Sequence, residues 1–240
     1  MFHKLTDHVY YEDFEVFADR PVIGYICGEK YSALIDAGNS PRHINKILKH
    51  VEEAGLRKPD MVFLTHSHWD HTYGLQALDI PSFANRTTYE YLLEDTKLIW
   101  NEEEFRKNEK SGRLMPFIAE HMADEYTDFS EIKVVLPTVT YESRLTVDLG
   151  GLKVELMKLD NPHSKDGSVV LIPGEAIFLG DAASLELAGA DWVDHPEEVV
   201  KFHDALKDLD FKEAFESHFE HMPKQNVLDE LRARFPKKGQ

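Results

Sequence analysis

Thiols are nearly absent from this chain. Its one cysteine, Cys27, excludes an intramolecular disulfide and any cluster of thiolate metal ligands. Cys27 ends the apolar run Val22-Ile23-Gly24-Tyr25-Ile26 and reads as a small core residue. Positive charge is scarce as well: 27 Lys and Arg stand against 44 Asp and Glu, a formal net charge of −17. That balance repels phosphate backbones, so nucleic acid is not an expected partner. Long hydrophobic runs are missing too. No apolar stretch approaches the length of a membrane span, and Met1-Phe2-His3-Lys4-Leu5-Thr6-Asp7-His8 lacks the apolar block of a signal peptide. The expectation is therefore a cytoplasmic protein with no membrane partner.

What remains is an ordinary globular composition. Hydrophobic residues make up 42% and charged residues 30% of 240, enough to bury a core without staples. Strands are expected over Val9–Phe17, Pro21–Cys27 and Tyr31–Ile35, where β-branched and aromatic residues concentrate. Ser40-Pro41 is a helix-start signal, and Ile44, Ile47, Leu48 and Val51 give one apolar face to a helix from Pro41 to about Ala54, stopped by Gly55. Met61-Val62-Phe63-Leu64 is a buried strand, and Thr72–Leu78 is expected to be helical. Between Thr87 and about Tyr126, apolar groups are separated by dense charge, which predicts two or three helices broken near Ser111-Gly112 and by Pro116. Strands resume over Ile132–Leu136, Arg144–Leu149, Leu152–Leu159, Ser168–Ile172 and Ala176–Leu179. Helices follow over Pro196–Leu209 and Gln225–Arg234. This order favours layered α/β architecture. One domain over residues 1–240, with a helical insertion over about 87–126, is the simplest organisation.

The chemistry concentrates in His66-Ser67-His68-Trp69-Asp70-His71, just beyond the carboxyl end of the buried strand. Imidazole and carboxylate are ligands for first-row metals. Two histidines two apart on a loop leaving a strand can turn to one point, and Asp70 and His71 can face a second point beside it. Ligands of α/β sheets gather at strand carboxyl ends.

This segment resembles the HxHxDH signature of the metallo-β-lactamase superfamily. The resemblance asks for three more ligands in order, and the chain supplies candidates. Asn161-Pro162-His163-Ser164 follows a strand, with Pro162 where the family commonly has glycine. Ile177-Phe178-Leu179-Gly180-Asp181 closes an apolar strand with an aspartate. Phe215-Glu216-Ser217-His218 provides the last histidine, favoured by position over the nearby His221. The resemblance implies an αββα sandwich: two mixed sheets back to back with helices outside. It implies two divalent metal ions, most readily zinc, with iron or manganese compatible. His66, His68 and His163 would bind the first ion, Asp70, His71 and His218 the second, and Asp181 would bridge them. Asp36, in Leu34-Ile35-Asp36-Ala37-Gly38, is similar to the family's early aspartate and would support the site from behind.

The implied activity is hydrolysis of an ester, thioester, lactone or phosphoester of a small molecule by a bridging hydroxide, with Asp70 as the catalytic carboxylate. Asp181 points away from a zinc β-lactamase subgroup that carries cysteine there. Tyr73, in Asp70-His71-Thr72-Tyr73-Gly74, replaces a glycine usual in glyoxalase II-like thioesterases. Tyr73 and His121, the latter in the insertion, are candidates for the substrate pocket, and the insertion is a candidate lid. The alternatives are an oxidoreductase on the same fold, like the persulfide dioxygenases, and a non-catalytic metal-binding module. A homodimer is compatible with the sequence. His3, His8, His43, His50, His195 and His203 have no convergent partners and read as surface, packing or helix-start residues.

Overall fold

The apolar runs are continuous rather than alternating because both faces of their strands are covered. In the computed structural model, which describes residues 2–236, the strand Ser168–Ile172 turns Val170 and Ile172 into one core and Val169 and Leu171 into another. The same division holds for Ala176–Gly180, where Phe178 faces inward and Ile177 and Leu179 face the helices.

Two sheets result. The first has seven strands in sequence order: β1 (Phe2–Lys4), β2 (Val9–Glu12), β3 (Ile23–Cys27), β4 (Ser32–Ile35), β5 (Met61–Phe63), β6 (Ser82–Asn85) and β7 (Val139–Tyr141). It is antiparallel through β4 and parallel from β4 to β7. The second sheet uses β8 (Arg144–Asp148), β9 (Lys153–Lys158), β10 (Ser168–Ile172), β11 (Ala176–Gly180), β14 (Glu213–Glu216) and β15 (Met222–Pro223), in the order β15-β14-β11-β10-β9-β8. A separate hairpin joins β12 (Glu186–Ala188) to β13 (Asp191–Val193). Between the sheets lie Ile26, Ile35, Phe63, Leu156, Phe178 and Phe215. The rings of Phe178 and Phe215 stack at 4.4 Å.

Helices close the outer faces. Helix α1 (Pro41–Glu53) lays Ile44, Ile47 and Val51 on the first sheet. Its Ser40 Oγ caps the start by accepting from the His43 amide at 3.0 Å. The second sheet is covered by α6 (Pro196–Leu206) and α7 (Lys224–Ala233) through Phe202, Leu206, Val227 and Leu231. The chain is thus an αββα sandwich of two mixed sheets. Among the described residues, no helix is long and apolar enough to cross a membrane.

The expected insertion is three helices, α3 (Arg86–Asp95), α4 (Glu102–Lys110) and α5 (Pro116–Glu125), set between the parallel neighbours β6 and β7. Phe105 of α4 and Ala119 and Met122 of α5 pack with Trp69, Tyr73 and Phe129 in a small core, where Phe105 stacks on Phe129 at 3.7 Å, while Leu92 of α3 joins the core of the first sheet.

Several expectations need correction. Ile132–Leu136 is not a strand. Ile132, Val134 and Leu136 alternate into the packing, but the backbone has no ladder partner, so the period-2 signal reports burial alone. The paired strand is β7, just beyond it. The helix expected over Thr72–Leu78 is instead the short α2 (Trp69–Thr72) followed by 3-10 turns over Tyr73–Ala77. Gly74 there donates to the Gly38 carbonyl at 2.8 Å, and a Cβ on it would lie 2.0 Å from the Ala37 oxygen. The strand expected to reach Phe17 ends at Glu12. The chain then bends through Ala18 and Asp19, both left-handed at φ 59° and 50°.

Candidate metal centre

Each candidate ligand sits where a strand ends. His66 and His68 follow β5, α2 carries Asp70 and His71, His163 lies between β9 and β10, Asp181 closes β11, and His218 follows β14. Because β4, β5, β11 and β14 end at one edge of the sandwich, all seven side chains meet there. They form two groups that could hold a metal ion, His66–His68–His163–Asp181 and Asp70–His71–Asp181–His218, each with its ligand atoms within 4.8 Å of one another.

Asp181 belongs to both. Its Oδ2 lies 3.7 Å from His66 Nε2, 3.5 Å from His163 Nε2, 3.5 Å from His71 Nε2 and 3.6 Å from His218 Nε2. In the second group, Asp70 Oδ2 is 3.0 Å from His71 Nε2 and 3.2 Å from His218 Nε2. In the first, His68 presents Nδ1, 3.2 Å from His163 Nε2.

A ring of outer partners fixes which nitrogen faces inward. Asp36 Oδ2 holds His71 Nδ1 at 2.8 Å, the Leu185 carbonyl accepts from His163 Nδ1 at 2.7 Å, and Asp19 Oδ1 lies 3.4 Å from His218 Nδ1. Such partners set the tautomer and aim the ring. Asp36 also accepts from the Thr65 amide at 2.8 Å and from the Thr65 hydroxyl, so it ties the root of the His66 loop to His71. Its φ of 61° is tolerated better by aspartate than by most residues. Gly180, at φ 57°, is required beside it. A Cβ there would lie 2.6 Å from Thr65 Oγ1 and 2.7 Å from Thr65 Cβ.

The residues fit metal ions by a direct criterion. His66 Nε2, His71 Nε2, Asp70 Oδ2 and Asp181 Oδ1 are buried and have no hydrogen-bond partner. Buried polar atoms rarely stay unpaired, and these converge on the two sites. The electrostatics agree. Burial would push the His71 imidazole down, but Asp70, Asp181 and Asp36 outweigh it and hold it well above its ordinary value. His218 is likewise raised against burial by Asp181 and Asp70. Asp181 is pushed up by burial but held well below the usual range by His218 and His71. These carboxylates favour protonated His71 and His218 wherever no cation is bound. Since ligation needs neutral imidazole, metal uptake should release those protons. Each lost proton should cost about tenfold in affinity per pH unit below the raised pKa. Calorimetry of zinc binding in buffers of different protonation enthalpy should therefore show proton release at neutral pH and weaker binding as pH falls.

A cavity of about 1420 Å³ opens above the two groups. Its walls include His68, Asp70, His163, Asp181 and His218, together with Tyr91, Trp100, Phe117 and Met122 from the insertion and Leu187 and Trp192 from the β12–β13 hairpin. Tyr73 is part of the wall. His121 is not among the wall residues; its ring packs edge-on against Phe117, which is, at 4.4 Å. Reading the sequence missed Asp19, which also lines the cavity and is pushed up to about 7 by burial and by the Asp70 charge. Only the left-handed bend at Ala18-Asp19 brings it here, and no local motif announces that bend.

Residues 18–215 match the model of the metallo-beta-lactamase superfamily, and the chain belongs to that superfamily. Solved structures with the same fold include a metallo-beta-lactamase from Pontibacter korlensis, 17% identical, with a TM-score of 0.68 and 98% of each chain covered. An archaeal superfamily protein from Sulfolobus tokodaii is 21% identical over 95% of this chain and 86% of that one, at 0.62. A stereoselective inverting sec-alkylsulfatase from Pseudomonas sp. is 16% identical at 0.70, and this chain spans 40% of its length. Among curated proteins, none matches the sequence.

Proposed function

We propose that the chain is a hydrolase that works with two divalent metal ions, most readily zinc, on an ester, thioester, lactone or phosphoester of a small molecule. The observation that carries this reading is Asp181, whose Oδ2 stands within 3.5–3.7 Å of four imidazole nitrogens from both groups. His66, His68 and His163 would hold one ion, Asp70, His71 and His218 the other, and Asp181 both. Bound there, the ions supply Lewis acidity and a water acidic enough to attack near neutral pH.

The chain's own residues do the rest. Asp36, Asp19 and the Leu185 carbonyl keep Nε2 of their histidines free to ligate. Asp70 is both buried against His71 and His218 and part of the cavity wall, so its carboxylate can take a proton from an attacking water and return it to the leaving group. The aromatic wall holds the body of the substrate and excludes bulk water. The acidic surface argues against nucleic acid as substrate. We place the protein in the cytoplasm.

Purification without chelator, metal analysis and a screen of chromogenic carboxyl, thioester, lactone and phosphate substrates test the reading together. About two metals per chain are expected, with activity lost in His68→Ala and Asp70→Ala. One iron per chain, with oxygen uptake on a persulfide, would establish the oxidoreductase instead. Full activity in Asp70→Ala would remove the catalytic role given to that carboxylate.

A further inference from the structure

One part of the cavity wall carries negative charge that neither ion would use. Asp166 follows the His163 loop and is 1% exposed. Its Oδ2 accepts from the Ser67 amide at 2.8 Å and the Thr88 hydroxyl at 3.0 Å, while its Oδ1 has no partner. Asp95, at the end of α3, is half-buried in the same wall and has no side-chain hydrogen bond or ion pair among the described residues. Burial pushes its carboxyl up to about 6 against the pull of Arg113, with Asp166 and Glu94 adding to the rise. Asp166 is clamped to the Ser67 amide beside His68, and Asp95 lines the same cavity as Tyr73 and Trp100. The rings of Tyr73 and Trp100 meet at 5.9 Å and 75°, and Tyr91 lines the same cavity.

These residues make a site short of one component. An unpaired buried carboxylate oxygen is costly, and aromatic faces attract cations. Among the described residues, no positive side chain forms an ion pair with either carboxylate. Of the positive side chains in the wall, Arg234 is held by Asp194 at 2.7 Å, and neither Arg113 nor Lys165 makes an ion pair with Asp95 or Asp166. A third inorganic ion is not the answer either. Among the described residues, only the two groups already described gather three or more metal-type donors.

We propose that this wall recognises an ammonium group on the substrate, seated against the Tyr73 and Trp100 rings with Asp95 and Asp166 as its counter-charges. The proposal rests on the cavity being the substrate site and deepens that reading. It specifies a small cationic ester or a related amine-bearing molecule, with the scissile bond directed at the metal centre. A quaternary ammonium would use charge and ring contact, and a primary one would also donate to the half-buried Asp95 carboxylate.

The test is a binding measurement that needs no turnover. Choline and 3,3-dimethylbutan-1-ol have the same shape and differ in charge. Calorimetry on the zinc-loaded protein should show choline binding at least about tenfold more tightly. That preference should fall to within about twofold in Asp95→Asn, and binding of the neutral alcohol should not change. Asp166→Asn, which keeps an acceptor for the Ser67 amide, should weaken choline in the same direction. Equal affinity for the two probes, no detectable choline binding, or a preference that survives both substitutions overturns the proposal. Hydrolysis of neutral esters without a choline preference would leave the hydrolase reading standing and remove this one. A choline preference without any hydrolysis would do the reverse.

Discussion

Asp181→Asn should lower the bound metal to at most one ion per chain and reduce turnover by more than 100-fold, with the fold intact. The substitution keeps volume and polarity but removes the charge that both ligand groups share. Four imidazole nitrogens face this carboxylate at 3.5–3.7 Å, so no other side chain can take over its position. Loss of an outer partner of a ligand typically costs about 10–100-fold in affinity or activity, and loss of the shared ligand should exceed that. Asp36→Asn provides the internal scale. It touches His71 Nδ1 at 2.8 Å and no ligand atom facing inward, so its cost should fall within the 10–100-fold range. Metal analysis and circular dichroism on both variants check the pair. Two ions retained in Asp181→Asn, with turnover within tenfold of the parent, would refute a shared carboxylate.

The legibility of this site differs from residue to residue for a physical reason. His66, His68, Asp70 and His71 are neighbours in sequence, on the loop after β5 and the short α2 that continues it, so local spacing brings them together. His163, Asp181 and His218 are far apart in sequence and were legible through the family resemblance, each matched to the end of an apolar strand; Asp36 was legible through the same resemblance. Asp19 and Asp166 were not, because their roles depend on backbone paths without a sequence signature: a left-handed bend in one case, and a loop clamped to the Ser67 amide in the other. The cavity was only half legible. The aromatic residues of α3–α5 read equally well as core, and some of them are, as Phe105 on Phe129 shows. The β12–β13 hairpin, which contributes Leu187 and Trp192 to the wall, is too short and polar to stand out. Ile132–Leu136 failed in the opposite direction, since alternating burial imitates a strand wherever an extended chain lies on a core.

Glu125→Ala should destabilise the protein by about 3 kcal/mol, near the lower end of the range for breaking a buried ion pair. Glu125 is the last residue of α5, and its side chain is fully buried. It receives Arg20 Nη2 at 3.0 Å, Arg42 Nη2 at 2.9 Å and the Ser40 hydroxyl. Removing it strands Arg20, whose side chain is 10% exposed, but Arg20 keeps Glu15 at 2.7 Å, and that remaining pair limits the loss. Next to this network, the Tyr126 hydroxyl donates to the Asn39 carbonyl at 2.7 Å, and Asn39 donates to the Ala18 carbonyl at 2.6 Å. The insertion is therefore anchored to the bend that carries Asp19 toward His218. A broken anchor should weaken the second metal position as well as the fold, so zinc affinity should fall in Glu125→Ala while Glu125→Gln, which keeps an acceptor, loses less of both. The double variant Arg20→Met with Glu125→Leu separates the causes. Removing both charges should recover most of the folding free energy, because desolvation of the pair offsets much of its attraction. Urea unfolding at constant zinc measures each step. A loss below about 1 kcal/mol in Glu125→Ala would show that Arg20 and Arg42 find other partners, and the insertion would then be held by its apolar contacts alone.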